Sequence, residues 1–161
     1  MPIRTRPSAL LPELLVLLVA FASTPALAAD DEDFIEYRQS VMDSIGDNME
    51  GISDILKNQL PLVPSIEHHA NALADASRLI APAFQQKVVA GATDAKPEIW
   101  QQPDKFAEAA RLMGTEAEAL AAAVKAGKTA ELGERVKALG KACGGCHQNF
   151  RKPKEESYKN R

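Results

Sequence analysis

The chain has 161 residues, of which 45% are hydrophobic and 25% charged, and its formal net charge at neutral pH is −3. That mildly acidic balance, with both signs interspersed, lacks the basic face that nucleic acid or an anionic membrane surface selects, so neither is expected as a partner. The two cysteines, Cys143 and Cys146, lie so close that a bridge between them would constrain the unfolded chain very little, which excludes a disulfide-stapled fold.

The N-terminus has the three parts of a secretory signal: Arg4 and Arg6, the apolar run Leu10 to Ala22, and the small residues of Ala26-Leu27-Ala28. The run is shorter than the ~20 residues that span a bilayer and Glu13 interrupts it, so cleavage near Ala28 and a periplasmic location are expected, with no stable membrane insertion. Residues 1–28 are read as signal peptide and residues 29–161 as one domain with a single core.

From Asp31 to Lys57, apolar residues recur at steps of three and four through Phe34, Ile35, Val41, Met42, Ile45, Met49, Ile52, Ile55 and Leu56, which predicts a long amphipathic helix stopped by Pro61 and Pro64. A second helix is expected from Ser65, with the serine as its cap, carrying Ile66, Ala70, Leu73, Ser77, Ile80 and Phe84 on one face and a break or kink at Pro82. Between Gln86 and Gln102 the periodicity dissolves, and Gly91, Pro97 and Pro103 punctuate an irregular connection whose Trp100 is expected to plug the bundle's side.

The third helix starts at Pro103-Asp104, where proline suits the first turn, and runs through Phe106, Ala110, Met113, Ala117, Leu120 and Val124 to Gly127. Thr129 is expected to cap the fourth, whose apolar face reads Leu132, Val136, Leu139, Cys143, His147 and Phe150 before Pro153. Residues 152–161 read as a solvated, frayed tail. No segment sustains a two-residue alternation, so the fold class is all-α: an antiparallel four-helix bundle.

Cys143-Gly144-Gly145-Cys146-His147 is the C-x-x-C-H attachment signature of c-type haem. On a helix the two thiols share a face and can reach the two vinyl groups of one porphyrin edge, while the imidazole at i+4 projects toward the iron. Gly144 and Gly145 give clearance for the macrocycle at a helix-propensity cost of roughly 1 kcal/mol each relative to alanine. Two other chemistries compete. A thiol oxidoreductase would place its C-x-x-C at the start of a helix after a strand, where the thiol pKa falls. A zinc site would need His147, His68 and His69 beside the cysteines, without the spacing of common zinc folds.

The sequence resembles the cytochrome c′ family of class II c-type cytochromes. Tyr37-Arg38-Gln39-Ser40-Val41-Met42, Lys96-Pro97-Glu98-Ile99-Trp100 and Lys141-Ala142-Cys143-Gly144-Gly145-Cys146-His147-Gln148-Asn149-Phe150-Arg151 occur in the order the family requires. The resemblance implies one haem c, covalently held by Cys143 and Cys146, with His147 as the proximal iron ligand. It implies single-electron transfer, or binding of nitric oxide (NO) or carbon monoxide (CO), at an iron whose opposite face Met42 covers. Close relatives of the same fold use a first-helix methionine as sixth ligand and are low-spin carriers. Met42 fits either branch, and a thioether ligand would raise the iron's potential.

The resemblance also sets Arg38 and Gln39 near the haem propionates, Arg151 beside the proximal imidazole, and Asp94 near the haem edge. It implies redox partner proteins and a homodimer through the first two helices, although no apolar stripe in the sequence demands one. No enzymatic turnover by protein groups is implied.

Overall fold

The structure, a computed structural model, describes residues 30–160. The expected export signal lies outside the described residues. Among them the regular elements are helical: α1 (Asp31–Lys57), α2 (Ser65–Ala83), a short α3 (Glu98–Gln101), α4 (Pro103–Lys125) and α5 (Leu132–Phe150). No helix among them is long and apolar enough to cross a membrane.

α1 begins with a reciprocal cap. Asp30 accepts from the amides of Glu32 and Asp33, and the Asp33 carboxylate accepts from the Asp30 amide at 2.9 Å. Two otherwise orphaned sets of donors are satisfied, and three acids sit where the helix dipole favours them. α2 starts differently from expectation. Ser65 is its first helical residue and makes no side-chain cap, because Pro64 already has helical backbone angles. The amides of Ser65, Ile66 and Glu67 donate instead to the carbonyls of Leu62, Val63 and Pro64 at 2.8, 3.1 and 3.2 Å, so a tight turn does the work of the hydroxyl. Thr129 likewise makes no cap. It opens a short 3-10 turn, Thr129–Glu131, that leads into α5.

The four long helices pack in sequence order, α1 on α2, α2 on α4 and α4 on α5. Ile52, Ile66, Leu73, Leu120 and Leu139 are fully buried at the centre of that packing. α2 and α4 approach closely at Gly114, where an added Cβ would run into the Ser77 side chain. That approach needs glycine for space, since the position is inside a helix with ordinary backbone angles. α1 and α5 do not close on each other to a comparable extent, and the space between them is the site described below.

The end of the chain departs from the frayed tail expected from sequence. Residues 154–156 and 158–160 form 3-10 turns, and Ser157 is only 5% exposed. The backbone carries the attachment: Lys96 N–H donates to Phe150 O at 3.0 Å and Lys152 N–H to Asp94 O at 2.8 Å. Polar composition suggested solvation, but these polar groups find partners on the loop around Asp94.

Candidate haem site

A cavity of about 490 Å³ lies between α1 and α5, within the roughly 300–1,000 Å³ usual for cofactor sites. α1 lines it with Arg38, Gln39, Met42, Ile45 and Met49, and α4 with Phe106 and Met113. α5 supplies Cys143, Cys146 and His147. All three follow from the helical spacing of the C-x-x-C-H sequence: the positions i, i+3 and i+4 fall on one face, and that face looks into the cavity instead of the packed core. Hence the two cysteines are half-buried while Leu139, one turn earlier on the same stripe, is fully buried.

The floor is aromatic. Phe84 and Phe106 meet edge to face at 5.1 Å between centroids, and Phe106 and Phe150 at 5.2 Å. Trp100 lies 6.5 Å from Phe84 and donates its indole N–H to Phe84 O at 2.7 Å, so its polar edge is satisfied where the bundle's side is plugged.

Arg38 is 3% exposed. Its Nε donates to Ala83 O at 3.0 Å, Nη1 to Val88 O at 3.1 Å and Nη2 to Gln86 O. The guanidinium also lies 4.9 Å from the Phe84 ring centroid and 5.3 Å from that of Trp100. It therefore holds the chain leaving α2 while lining the cavity, and of its five N–H groups two remain for another acceptor. Gln39 is similarly engaged, donating to Ala92 O at 2.8 Å.

The remaining site residues meet at one corner. Asp94, 8% exposed, accepts from Ser157 Oγ at 2.9 Å, from the Tyr158 amide at 2.9 Å and from Arg151 Nη2 at 3.3 Å. Burial works against its charged form, yet these hydrogen bonds and the Arg151 charge hold its carboxyl below the ordinary carboxylate range. The Arg151 amide donates to His147 O at 3.0 Å, which sets the arginine one turn past the imidazole. Partial burial of the ring, and then the Arg151 charge, lower the His147 pKa, which favours the neutral imidazole a metal requires.

The cysteines have the opposite character from redox thiols. Burial pushes the Cys143 thiol up, and burial together with Cys143 pushes Cys146 up to about 11. A catalytic thiol needs the reverse shift, so the environment disfavours the oxidoreductase reading. The zinc reading fails on assembly. His68 and His69 lie on α2, where His69 Nδ1 is 2.9 Å from Asn48 Oδ1, and no group of three or more His, Cys, Asp or Glu among the described residues is arranged to hold a metal ion.

Gly144 and Gly145 face open space, with nothing within 4 Å of an added Cβ, so no contact within the protein calls for them. Sequence reasoning singled out Met42 and passed over Met49 and Met113 as site residues, though all three line the cavity. The i+7 spacing of Met49 from Met42 was the available signal. Tyr158 and Lys159 also line it, and nothing local in the sequence pointed there.

An apolar cavity with two thiols and an imidazole on one helical wall fits a porphyrin bound through thioethers and ligated by histidine, and the bundle around it defines a helical c-type cytochrome. A sequence model of the family described as Cytochrome C′ matches residues 33–151. The cytochrome c′ of Pararhodospirillum photometricum is 39% identical over 124 residues, covering 76% of this chain and 99% of that protein. Cytochrome c prime from Shewanella frigidimarina superimposes with a TM-score of 0.71 at 28% identity, covering 78% of this chain and 99% of that one. An NO-bound ferrous variant of cytochrome c prime from Alcaligenes xylosoxidans gives 0.69 at 28% identity, covering 79% and 99%. The chain belongs to the cytochrome c′ family, and its cofactor is one covalently attached haem c.

Proposed function

We propose that Cys143 and Cys146 form the two thioether links, that His147 is the proximal iron ligand, and that the protein transfers single electrons and binds NO or CO on the Met42 side of the iron. One observation carries the reading: α5 directs both thiols and the imidazole into a cavity whose facing wall on α1 presents Met42, Ile45 and Met49. When bound, the haem supplies a one-electron couple and a coordination position for a diatomic ligand. Met42, Ile45 and Met49 exclude water from that position, and Arg151 beside His147 restrains its ring from gaining anionic character. Arg38 and Gln39 offer their remaining N–H groups to the haem carboxylates.

Residues 1–28 are its cleaved signal, and it works in the periplasm with redox partner proteins and without substrate turnover. Tyr37 and Leu79, exposed on α1 and α2, support a homodimer through those helices, which sedimentation would read directly.

A second reading has its own observation. Every methionine among the described residues lines the cavity, so a thioether is at hand to ligate the iron from Met42. The two readings part on Met42→Ala in the purified holoprotein. An open site predicts rapid CO binding by the ferrous protein before and after the substitution. A His/Met carrier predicts a methionine-to-iron charge-transfer band and slow CO binding, with the band lost and binding accelerated in the variant.

A further inference from the structure

Three cationic side chains line the cavity: Arg38, Arg151 and Lys159. Arg38 is spent largely on the carbonyls of Ala83, Gln86 and Val88, and Arg151 faces the Asp94 carboxylate at 3.3 Å. Lys159 is different. Its ammonium lies 5.9 Å from the Tyr158 ring centroid, and among the described residues it has no carboxylate within ion-pair distance.

The backbone that carries that ammonium is held in place. Asp94 holds the segment that carries it through Ser157 Oγ and the Tyr158 amide, both at 2.9 Å, and Ser157 Oγ in turn accepts from the Lys159 amide at 3.3 Å. Lys152 adds an ammonium contact to Thr93 O at 3.0 Å, so the segment is attached at both its start and its end. The residues matched by the family model stop at Arg151, and the contacts of Lys152, Ser157 and Tyr158 with the loop at Thr93 and Asp94 follow that point.

We infer that the C-terminal segment brings Tyr158 and Lys159 in as a wall of the haem pocket beyond the residues matched by the family model, with Asp94 as its anchor and Lys159 as a counter-charge to the haem's carboxylates. The inference rests on the haem site proposed above. Haem brings two carboxylates that need cationic or donor partners near a partly apolar cavity, since an unpaired charge there is costly. Of the two acids that line the cavity, Asp94 is already committed to Arg151, Ser157 and Tyr158, and Asp43 is exposed on α1. A cation at this place disfavours the ferric state, which carries one more positive charge, and so raises the reduction potential. Because Lys159 is exposed, the effect is screened by salt.

The test is the reduction potential of full-length holoprotein matured in a cytochrome-competent host, with haem attachment verified by intact mass. Lys159→Met lowers the potential, Lys159→Glu lowers it about twice as far because the charge change doubles, and Lys159→Arg restores it. The differences shrink as ionic strength rises. Lys154→Met, an exposed lysine of the same segment that does not line the cavity, leaves the potential unchanged. Equal potentials in Lys159→Met, Lys159→Glu and the parent, with haem attached, overturn the inference. So does an equal fall in Lys154→Met, which would make the effect a general surface charge. A parent with the bare apoprotein mass instead sinks the haem site itself, and this inference with it.

Discussion

The α5 wall of the cavity and the polar corner at Asp94 position their functional groups by opposite means. On α5, Cys143, Cys146 and His147 reach the cavity through helical geometry alone, and the helix is held by apolar burial such as that of Leu139. At the corner, Asp94, Arg151, Ser157 and Tyr158 come from a loop, a helix end and a tail, joined by hydrogen bonds between residues 57 to 64 positions apart. The first wall depends on apolar volume along one stripe and tolerates substitutions that keep it. The second depends on each partner, because a removed donor or acceptor leaves another buried group unsatisfied.

The sharpest way to break the comparison is at the thiols. Replacing Cys143 and Cys146 together by serine is expected to abolish covalent haem, leaving the apoprotein mass and a colourless extract, while the helical circular dichroism largely persists. Next in size, Leu139→Ala removes a fully buried side chain from the centre of the bundle and is expected to cost about 2–5 kcal/mol in urea unfolding. A loss under about 1 kcal/mol would mean that α5 is not held as described.

At the corner, Asp94→Asn is expected to cost about 1–3 kcal/mol at neutral pH, since it removes the charge opposite Arg151 and weakens the bonds to Ser157 and Tyr158. Its pH dependence is the finer probe. The folded-state pKa of Asp94 lies below the ordinary value of 3.8, so its contribution is complete above that value. The contribution is lost as pH falls through the lower folded pKa, because the unfolded state then binds the proton first. The gap between parent and variant should therefore be constant from neutral pH to about 5 and narrow below 3.8; a gap that widens on acidification would reverse the assigned direction. The smallest effect is expected from Ser157→Ala, about 1 kcal/mol, seen as faster proteolytic clipping of the tail with the bundle intact.

The bundle was legible in sequence because its information is periodic. Ile45, Ile52, Leu73, Leu120 and Leu139 repeat at helical intervals, and α1 and α2 fall on the residues their patterns predict. The site was legible where it is local, since five adjacent residues make up the haem-attachment motif and three of them line the cavity. The helix starts at Ser65 and Thr129 were misjudged in mechanism, because backbone turns satisfied amides that a hydroxyl was expected to cap. The short α3 escaped notice because four residues give no period to detect.

By itself, then, the sequence determined which residues face inward along each long helix and which five form the C-x-x-C-H motif proposed to hold the cofactor, since both follow from spacing along one chain. Tertiary structure alone decided that Arg38 would clamp the chain after α2, that Met49 and Met113 would join Met42 around one cavity, and that a polar tail would be seated on Asp94. These outcomes depend on pairs of groups far apart in sequence, and a hydrogen bond or a shared cavity between distant residues leaves no periodic trace in either partner's neighbourhood.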